Sequence, residues 1–360
     1  MELLATVHLR RGLLVPLLPS TVLLINNEKM RTMFLLLELA VCFAAALASS
    51  STQSPIIGVL AQPLSSDSSL LYIAASYIKW IEAGGGMSIA IPSDVTDSDE
   101  LDNLFEQIDA ILLPGGASLE RPFAVNYMLD KAVASNENGD YFPVWGTCLG
   151  FEYLAQYIAD DDKIISDGYT SENISLPLQN VVQAELYASD EILKIVTEEN
   201  VTMNNHQMGL HPSTFWSSSQ LQRVWQITSI NHDSRGTAFV SSFEPIANLP
   251  FYGVQYHPEK NAFEYGLYPG TNIPYEAINH SEDAVAFSIE MARFAVDLAR
   301  KTRGHEYNQV ERFPPVNQYP QRTGVGFELV FVVPSSKDRP LHRYSSLYEW
   351  FHLHSMFQQM

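Results

Sequence analysis

The chain has 360 residues, 46% of them hydrophobic and 17% charged, which is enough apolar material for one large or two small cored domains and too much for a wholly disordered chain. Asp and Glu number 41 against 21 Lys and Arg, so the formal charge is −20; this excludes a general attraction for nucleic acid or anionic lipid, and no Lys/Arg block offsets it. The two cysteines, Cys42 and Cys148, rule out a disulfide framework and a cysteine zinc site in a monomer.

Residues 1–29 hold an apolar stretch broken by Pro16 and Pro19, an upstream segment with no assigned role; Met30 or Met33 is an alternative start. Residues 30–48 place Arg31 before a short apolar run that ends Ala46-Leu47-Ala48. That order predicts a secretory signal peptide with a small-residue cleavage site. The run is interrupted by Glu38 and is short for a membrane-spanning helix, which needs about 20 residues. Removal of the signal would leave Cys148 as the single cysteine. Three acceptor sequons follow, at Asn173, Asn200 and Asn279, each meaningful only in the secretory pathway.

From residue 55 strands alternate with helices. Residues 55–60 read as a buried strand. Leu70, Ile73, Ala74, Tyr77, Ile78 and Ile81 recur at one-face spacing and predict a helix over 70–83, ended by Gly84-Gly85-Gly86. Strands at 87–91, 110–113 and 143–147 alternate with helices at 98–107 and 121–135, and another helix starts at Leu149. This alternation implies a parallel sheet covered on both faces. Closely spaced β-like runs follow at 223–230, 237–243 and 251–256, then a long helix at 282–302. In the extension, 304–333, the run 326–333 reads as a strand for a sheet edge; the tail, 334–360, has no assigned role.

Cys148 stands where the fourth strand runs into a helix, in Gly146-Thr147-Cys148-Leu149-Gly150. The pattern Gly-x-nucleophile-x-Gly marks a sharp strand-to-helix turn that projects its nucleophile above the carboxyl edge of the sheet. A helix N-terminus there favours thiolate and offers free amides to an oxyanion. The alternative is a buried structural cysteine. Residues 251–259 read Phe-Tyr-Gly-Val-Gln-Tyr-His-Pro-Glu. Alternation puts Gln255 and His257 on one face, Pro258 leaves His257 at the strand tip, and Glu259 can hold the far ring nitrogen. The pair Gly115-Gly116 after the third strand lets backbone approach a ligand, although Pro-Gly-Gly also makes ordinary turns.

Taken in order, Pro-Gly-Gly, Gly-x-Cys-x-Gly and Gly-Val-Gln-x-His-Pro-Glu resemble the class I glutamine amidotransferase superfamily. Within it, Pro55–Leu60, Tyr72–Tyr77, Asp140–Glu152 and Gly253–Lys260 resemble the γ-glutamyl hydrolases, a likeness that covers about residues 55–303. The resemblance implies a three-layer α/β sandwich with a mostly parallel central sheet, flavodoxin-like. It implies a cysteine hydrolase that cleaves folylpoly-γ-glutamates without cofactor or metal, through a thioester, in the extracellular space or the lysosome. Its substrate is a small molecule, with no nucleic acid and no stable membrane insertion; family members are often homodimers. By resemblance Cys148 is the nucleophile, His257 the base and Glu259 its orienting residue. Gly116 and Leu149 give oxyanion amides, and His206 matches a histidine near the scissile bond, with a loop histidine as the alternative. Gln255 faces the substrate with His257. Glu152 either receives the substrate amino group or caps its helix. Amidotransferases usually continue the elbow with His/Tyr-Gln; here Phe151-Glu152 stands instead, as in the hydrolases. Lys79, Arg121, His206 and Lys260 are the basic candidates for the substrate's carboxylates. Competing readings are a glutaminase-type amidotransferase subunit, a non-catalytic secreted binding protein on the same fold, and another cysteine peptidase of related fold.

Overall fold

The computed structural model describes residues 54–302 and 313–338, apart from Ser68 and Val325. The upstream segment, the predicted signal peptide with Cys42, and most of the tail lie outside the described residues.

The chain runs β1 (Ile56–Pro63), β2 (Leu70–Ala74), α1 (Ala75–Ala83), β3 (Met87–Pro92), α2 (Ser98–Phe105), β4 (Ala110–Leu113), α3 (Phe123–Glu137), β5 (Val144–Thr147) and α4 (Leu149–Ala159). It continues β6 (Ser166–Leu176), α5 (Asp190–Glu198), β7 (Thr202–Gly209), α6 (Pro212–Ser217), α7 (Ser219–Val224), β8 (Trp225–His232), β9 (Ala238–Pro245), β10 (Phe251–Val254), α8 (Lys260–Phe263), α9 (Glu282–Arg300), β11 (Gln321–Thr323) and β12 (Leu329–Pro334).

The main sheet has the order β11-β12-β2-β1-β4-β5-β10-β9-β8, with β3 also on β1. Its centre is parallel: β3, β1, β4, β5 and β10 all run one way. Antiparallel strands complete both ends. Alternation along β1 divides the core. Ile57, Val59 and Ala61 pack with α1 and α9 on one face, while Ile56 and Leu60 pack with α2, α3 and α4 on the other. Two apolar layers against one sheet make the three-layer sandwich, because both faces of a parallel sheet must be covered.

Several expectations shift. Leu70–Ala74 is a strand, not the first turn of a helix; the helix begins at Ala75. A short, fully apolar run carries no periodicity that separates strand from helix. Pairing decides it, since β2 lies antiparallel to β12, with Ile73 opposite Phe331, and meets β1 at Gln62. The run expected as a strand from 223 starts inside α7. The strand expected over 251–256 ends at Val254. A second, two-stranded sheet of β6 and β7 was not expected at all. The sequence of β6, Ser-Asp-Gly-Tyr-Thr-Ser-Glu-Asn-Ile-Ser-Leu, is polar and its pairing slips twice, which removes the period-two signal.

The site is positioned by a tight crossing. A Cβ on Gly150, in the first turn of α4, would overlap the Leu113 carbonyl, and one on Gly146 would lie 2.6 Å from the Gly150 carbonyl. Gly150→Ala should therefore cost about 3 kcal/mol through overpacking, and differential scanning fluorimetry should show the melting temperature falling by roughly 6–12 °C.

Candidate active site

Cys148 sits between β5 and α4 with φ at 52°, the left-handed conformation that a sharp elbow demands of a non-glycine residue. Its amide donates to the Val254 carbonyl at 2.8 Å, tying the elbow to the end of β10. Three residues past that end comes His257, whose amide donates to Met203 O at 2.8 Å. Gln255 and His257 thus lie just beyond the strand rather than within it, and both still turn toward the elbow. A Cβ placed on Gly115 would lie 2.5 Å from His257 Cε1, 3.0 Å from the Tyr77 hydroxyl and 3.4 Å from Cys148 Cβ. The thiol-bearing carbon, the imidazole and the Pro-Gly-Gly turn therefore border one point, and only glycine fits there.

His257 Nδ1 lies 2.8 Å from Glu259 Oε1, both side chains buried. With the Nδ1 proton on that carboxylate, Nε2 is left to exchange a proton with sulfur. The Tyr77 hydroxyl is 3.3 Å from the same Nδ1 and accepts the Gly115 N–H at 2.8 Å. Burial first, then the negative charge of Glu259, holds this phenol well above its ordinary pKa, so it stays protonated. The Gly115 carbonyl in turn accepts from Gln62 Nε2 at 2.7 Å. A trans peptide points its C=O and the next N–H in opposite directions. With the Gly115 carbonyl held by Gln62, the Gly116 N–H faces away from Gln62. Leu149, the first residue of α4, supplies a helix-terminal N–H that contacts the Cys148 sulfur and lowers its pKa.

The electrostatics run against a resting thiolate. Burial pushes the Cys148 thiol far up, Glu152 and Glu259 push the same way, and Lys260 and the Leu149 amide pull it down without prevailing. The Leu149 amide at the helix terminus favours thiolate, as the elbow motif implies, and burial outweighs it. Glu152 is buried beside the thiol and accepts from Gln255 Nε2 at 3.0 Å. Burial raises its pKa to about 7, partly offset by that hydrogen bond. Gln255 keeps a buried carbonyl oxygen without a protein partner.

His206 lies on β7, a strand rather than a loop. Its Nδ1 donates to Met208 O at 2.7 Å, and its buried Nε2 has no partner. Burial lowers its pKa to about 4, helped by the proximity of His257, so the ring is neutral above that pH with a free acceptor. Lys260 is buried, with Nζ 2.6 Å from both oxygens of Glu276. Lys79 is half-buried on α1. Asn173 and Asn200 are exposed, while Asn279 is half-buried and donates from Nδ2 to Asn200 O at 2.9 Å.

A family model for glutamine amidotransferase class-I matches residues 74–272. The rat protein named gamma-glutamyl hydrolase is 35% identical over 272 residues, covering 72% of this chain and 82% of its own. The human protein of that name is 32% identical over 294 residues, covering 76% and 88%. Gamma-glutamyl hydrolase B of Dictyostelium discoideum is 31% identical over 272 residues, covering 72% and 75%. The chain belongs to the γ-glutamyl hydrolase family.

Two residues of this γ-glutamyl hydrolase fold gain a role only from tertiary contact. Gln62 is the penultimate residue of β1, near the carboxyl edge where open sheets place their ligands, and Tyr77, inside a segment that resembles the family, reads by periodicity as one more apolar position on α1. Their link to the Pro-Gly-Gly turn spans 53 and 38 residues and is invisible locally. Tyr77→Phe removes the acceptor for Gly115 N–H. It should lower kcat about tenfold with little change in KM, as expected when one organising hydrogen bond is lost.

The sign of the pH effect follows from Glu152. Above about pH 7 its carboxylate is ionised and opposes a thiolate beside it; below that it is neutral and the opposition disappears. The kcat/KM profile should therefore fall as pH rises through about 7, and Glu152→Gln should abolish that limb while leaving any limb from other groups.

Proposed function

We propose that the chain is a cysteine hydrolase that cleaves γ-glutamyl bonds of folylpoly-γ-glutamates through a thioester. The observation that carries this reading is the convergence of Cys148, the His257–Glu259 pair and the Gly115-Gly116 turn on one point. The names of its relatives give the bond that is cleaved. The folate tail comes from the motif resemblance and remains part of the proposal.

In this reading His257 Nε2 takes the Sγ proton as sulfur attacks the γ-carbonyl carbon. The oxyanion rests on the Gly116 and Leu149 amides. The intermediate collapses, the C–N bond breaks, and the imidazolium protonates the departing amine. Water then attacks the thioester, giving its proton to His257, and the carboxylic acid leaves with the thiol restored. A neutral resting thiol is compatible with this order, because proton transfer and attack share one step. Glu259 stabilises the imidazolium that forms in between. His206 Nε2 and Gln255 Oε1 are buried acceptors without protein partners, which supports a role for both in receiving substrate N–H groups. Glu152 bonds Gln255, which favours a role in substrate contact over one as a helix cap.

The secretory pathway is the proposed setting, extracellular or lysosomal. The signal-like run at 30–48 and the exposure of Asn173 and Asn200 support it. Among the described residues no helix is long and apolar enough to cross a membrane.

The test is direct. Residues 49–360, expressed in a secretory host, are incubated with a pentaglutamyl folate at acidic and neutral pH, and products are read by mass spectrometry. Release of glutamate or γ-linked oligoglutamate is expected. In Cys148→Ala it should fall by several orders of magnitude, as nucleophile removal does in other hydrolases. A folded parent that releases nothing at either pH would sink the folate reading.

A further inference from the structure

Beyond the nucleophile, a second concave site lies along the same helix. The backbone that leaves Gly116 runs beside α4: Tyr153 donates from its hydroxyl to the carbonyls of Ser118, at 2.6 Å, and Glu120, at 3.3 Å. Where this segment meets the far half of α4, Leu119, Glu120, Arg121, Asn126, Gln156 and Asp162 line an open depression of about 350 Å³. Two of its polar groups are incompletely satisfied. Arg121 is 14% exposed and donates from Nε to Asn126 at 3.0 Å; one terminal nitrogen pairs with Asp162 at 3.2 Å, and the other, Nη1, is buried without a partner. Gln156 is 1% exposed; its Nε2 donates to Asp162 O at 3.0 Å, and its Oε1 is buried without a partner. A buried polar atom without a partner is costly to keep. The two side chains that hold these orphan atoms, a guanidinium donor and an amide acceptor, line the same space.

That pair has a chemical complement. A γ-linked glutamyl unit carries an α-carboxylate, which a guanidinium binds through paired N–H groups, and an amide N–H, which a glutamine carbonyl accepts. Cys148, Glu152 and Gln156 follow one another at helical spacing of four, so they lie along one face of α4. Eight residues of helix span about 12 Å. One γ-linked unit spans roughly 6 Å, a peptide step lengthened by two carbon–carbon bonds. We propose that the Arg121–Gln156 depression is a tail subsite of this hydrolase, holding the γ-linked glutamyl unit about two units from the scissile bond. The proposal rests on the γ-glutamyl reading above and names the part of the substrate that the catalytic centre itself does not reach.

Asp162 is the natural competitor. Its side chain is 77% exposed, and ion pairs that exposed hold weakly, so an incoming carboxylate can displace it. Glu120 adds a second negative charge to the lining, so selection for longer tails is moderate rather than absolute. Opposite signs follow for two variants. Arg121→Gln should reduce the preference for pentaglutamyl over diglutamyl substrate, as a ratio of kcat/KM values, by about tenfold through KM, the range for a charge-assisted hydrogen bond. Asp162→Asn, on an exposed side chain, should raise that ratio by about two- to threefold by freeing the guanidinium. Calorimetry of free γ-linked tetraglutamate with Cys148→Ala and with Cys148→Ala/Arg121→Gln gives the same comparison without turnover, with weaker binding expected in the double variant. Equal losses on both tail lengths, or an unchanged affinity in the double variant, would overturn the subsite. If the parent cleaves no γ-glutamyl substrate at all, the proposed activity falls, and the calorimetric comparison still decides whether the depression binds the tail.

Discussion

A crossing with no room for a side chain organises this molecule. β4, β5 and the first turn of α4 approach so closely that a Cβ at Gly150 would overlap the Leu113 carbonyl. The chain can leave β5 and enter α4 only through a residue with positive φ, and Cys148 takes that conformation. The strained residue is the one that carries the sulfur, a pattern seen where backbone strain is held in place by its surroundings for function. Because β4 is the neighbouring strand, the Gly115-Gly116 turn at its end lies against the elbow. β10 flanks β5 on the other side, so the segment that follows it delivers Gln255 and His257 to the same spot. One packing constraint thus brings together three elements of the candidate site that are far apart in the chain.

The charges around the elbow form a balance rather than a simple activation. Two buried carboxylates, Glu152 and Glu259, face one nearby ammonium, Lys260, which is itself held by Glu276. Burial of the thiol outweighs the helix amide. Burial and the two carboxylates thus favour a protonated sulfur, and a neutral thiol is the less easily oxidised form. In the proposed reaction, nucleophilicity is drawn out when the proton passes to an imidazole whose positive charge Glu259 stabilises. The same carboxylates would repel a polyanionic substrate, which gives the guanidinium of Arg121, set off along α4, a reason to exist.

How much of this was legible in the sequence depends on the range of the interaction. The elbow is local: two glycines, a strand and a helix in five residues, and it identified Cys148. His257 was readable because Pro258 ends extended structure and Glu259 follows two residues on, although β10 stops earlier than the alternation implied. Leu70–Ala74 misled because its apolar residues fit a helical face, while the partner that makes it a strand, β12, lies some 260 residues away. His206 was singled out by resemblance, with a loop histidine as the alternative, and its strand was not read because the partner β6 is polar and irregularly paired. Gln62 carries no local mark, and Tyr77 stands in a segment of resemblance that gives it no role; both find one only when the Pro-Gly-Gly turn is placed between them. The fold class and the elbow at Cys148 lie in short-range pattern, whereas the groups that orient the Pro-Gly-Gly turn lie in tertiary contact.

The account stands on a covalent bond to Cys148. Enzyme mixed with saturating γ-glutamyl substrate, quenched in acid within the first turnover and digested, should yield the peptide containing Cys148 heavier by the acyl half of the substrate, and hydroxylamine should remove that mass. A product burst with the Cys148 peptide unmodified, or the acyl group on a different side chain, would contradict it.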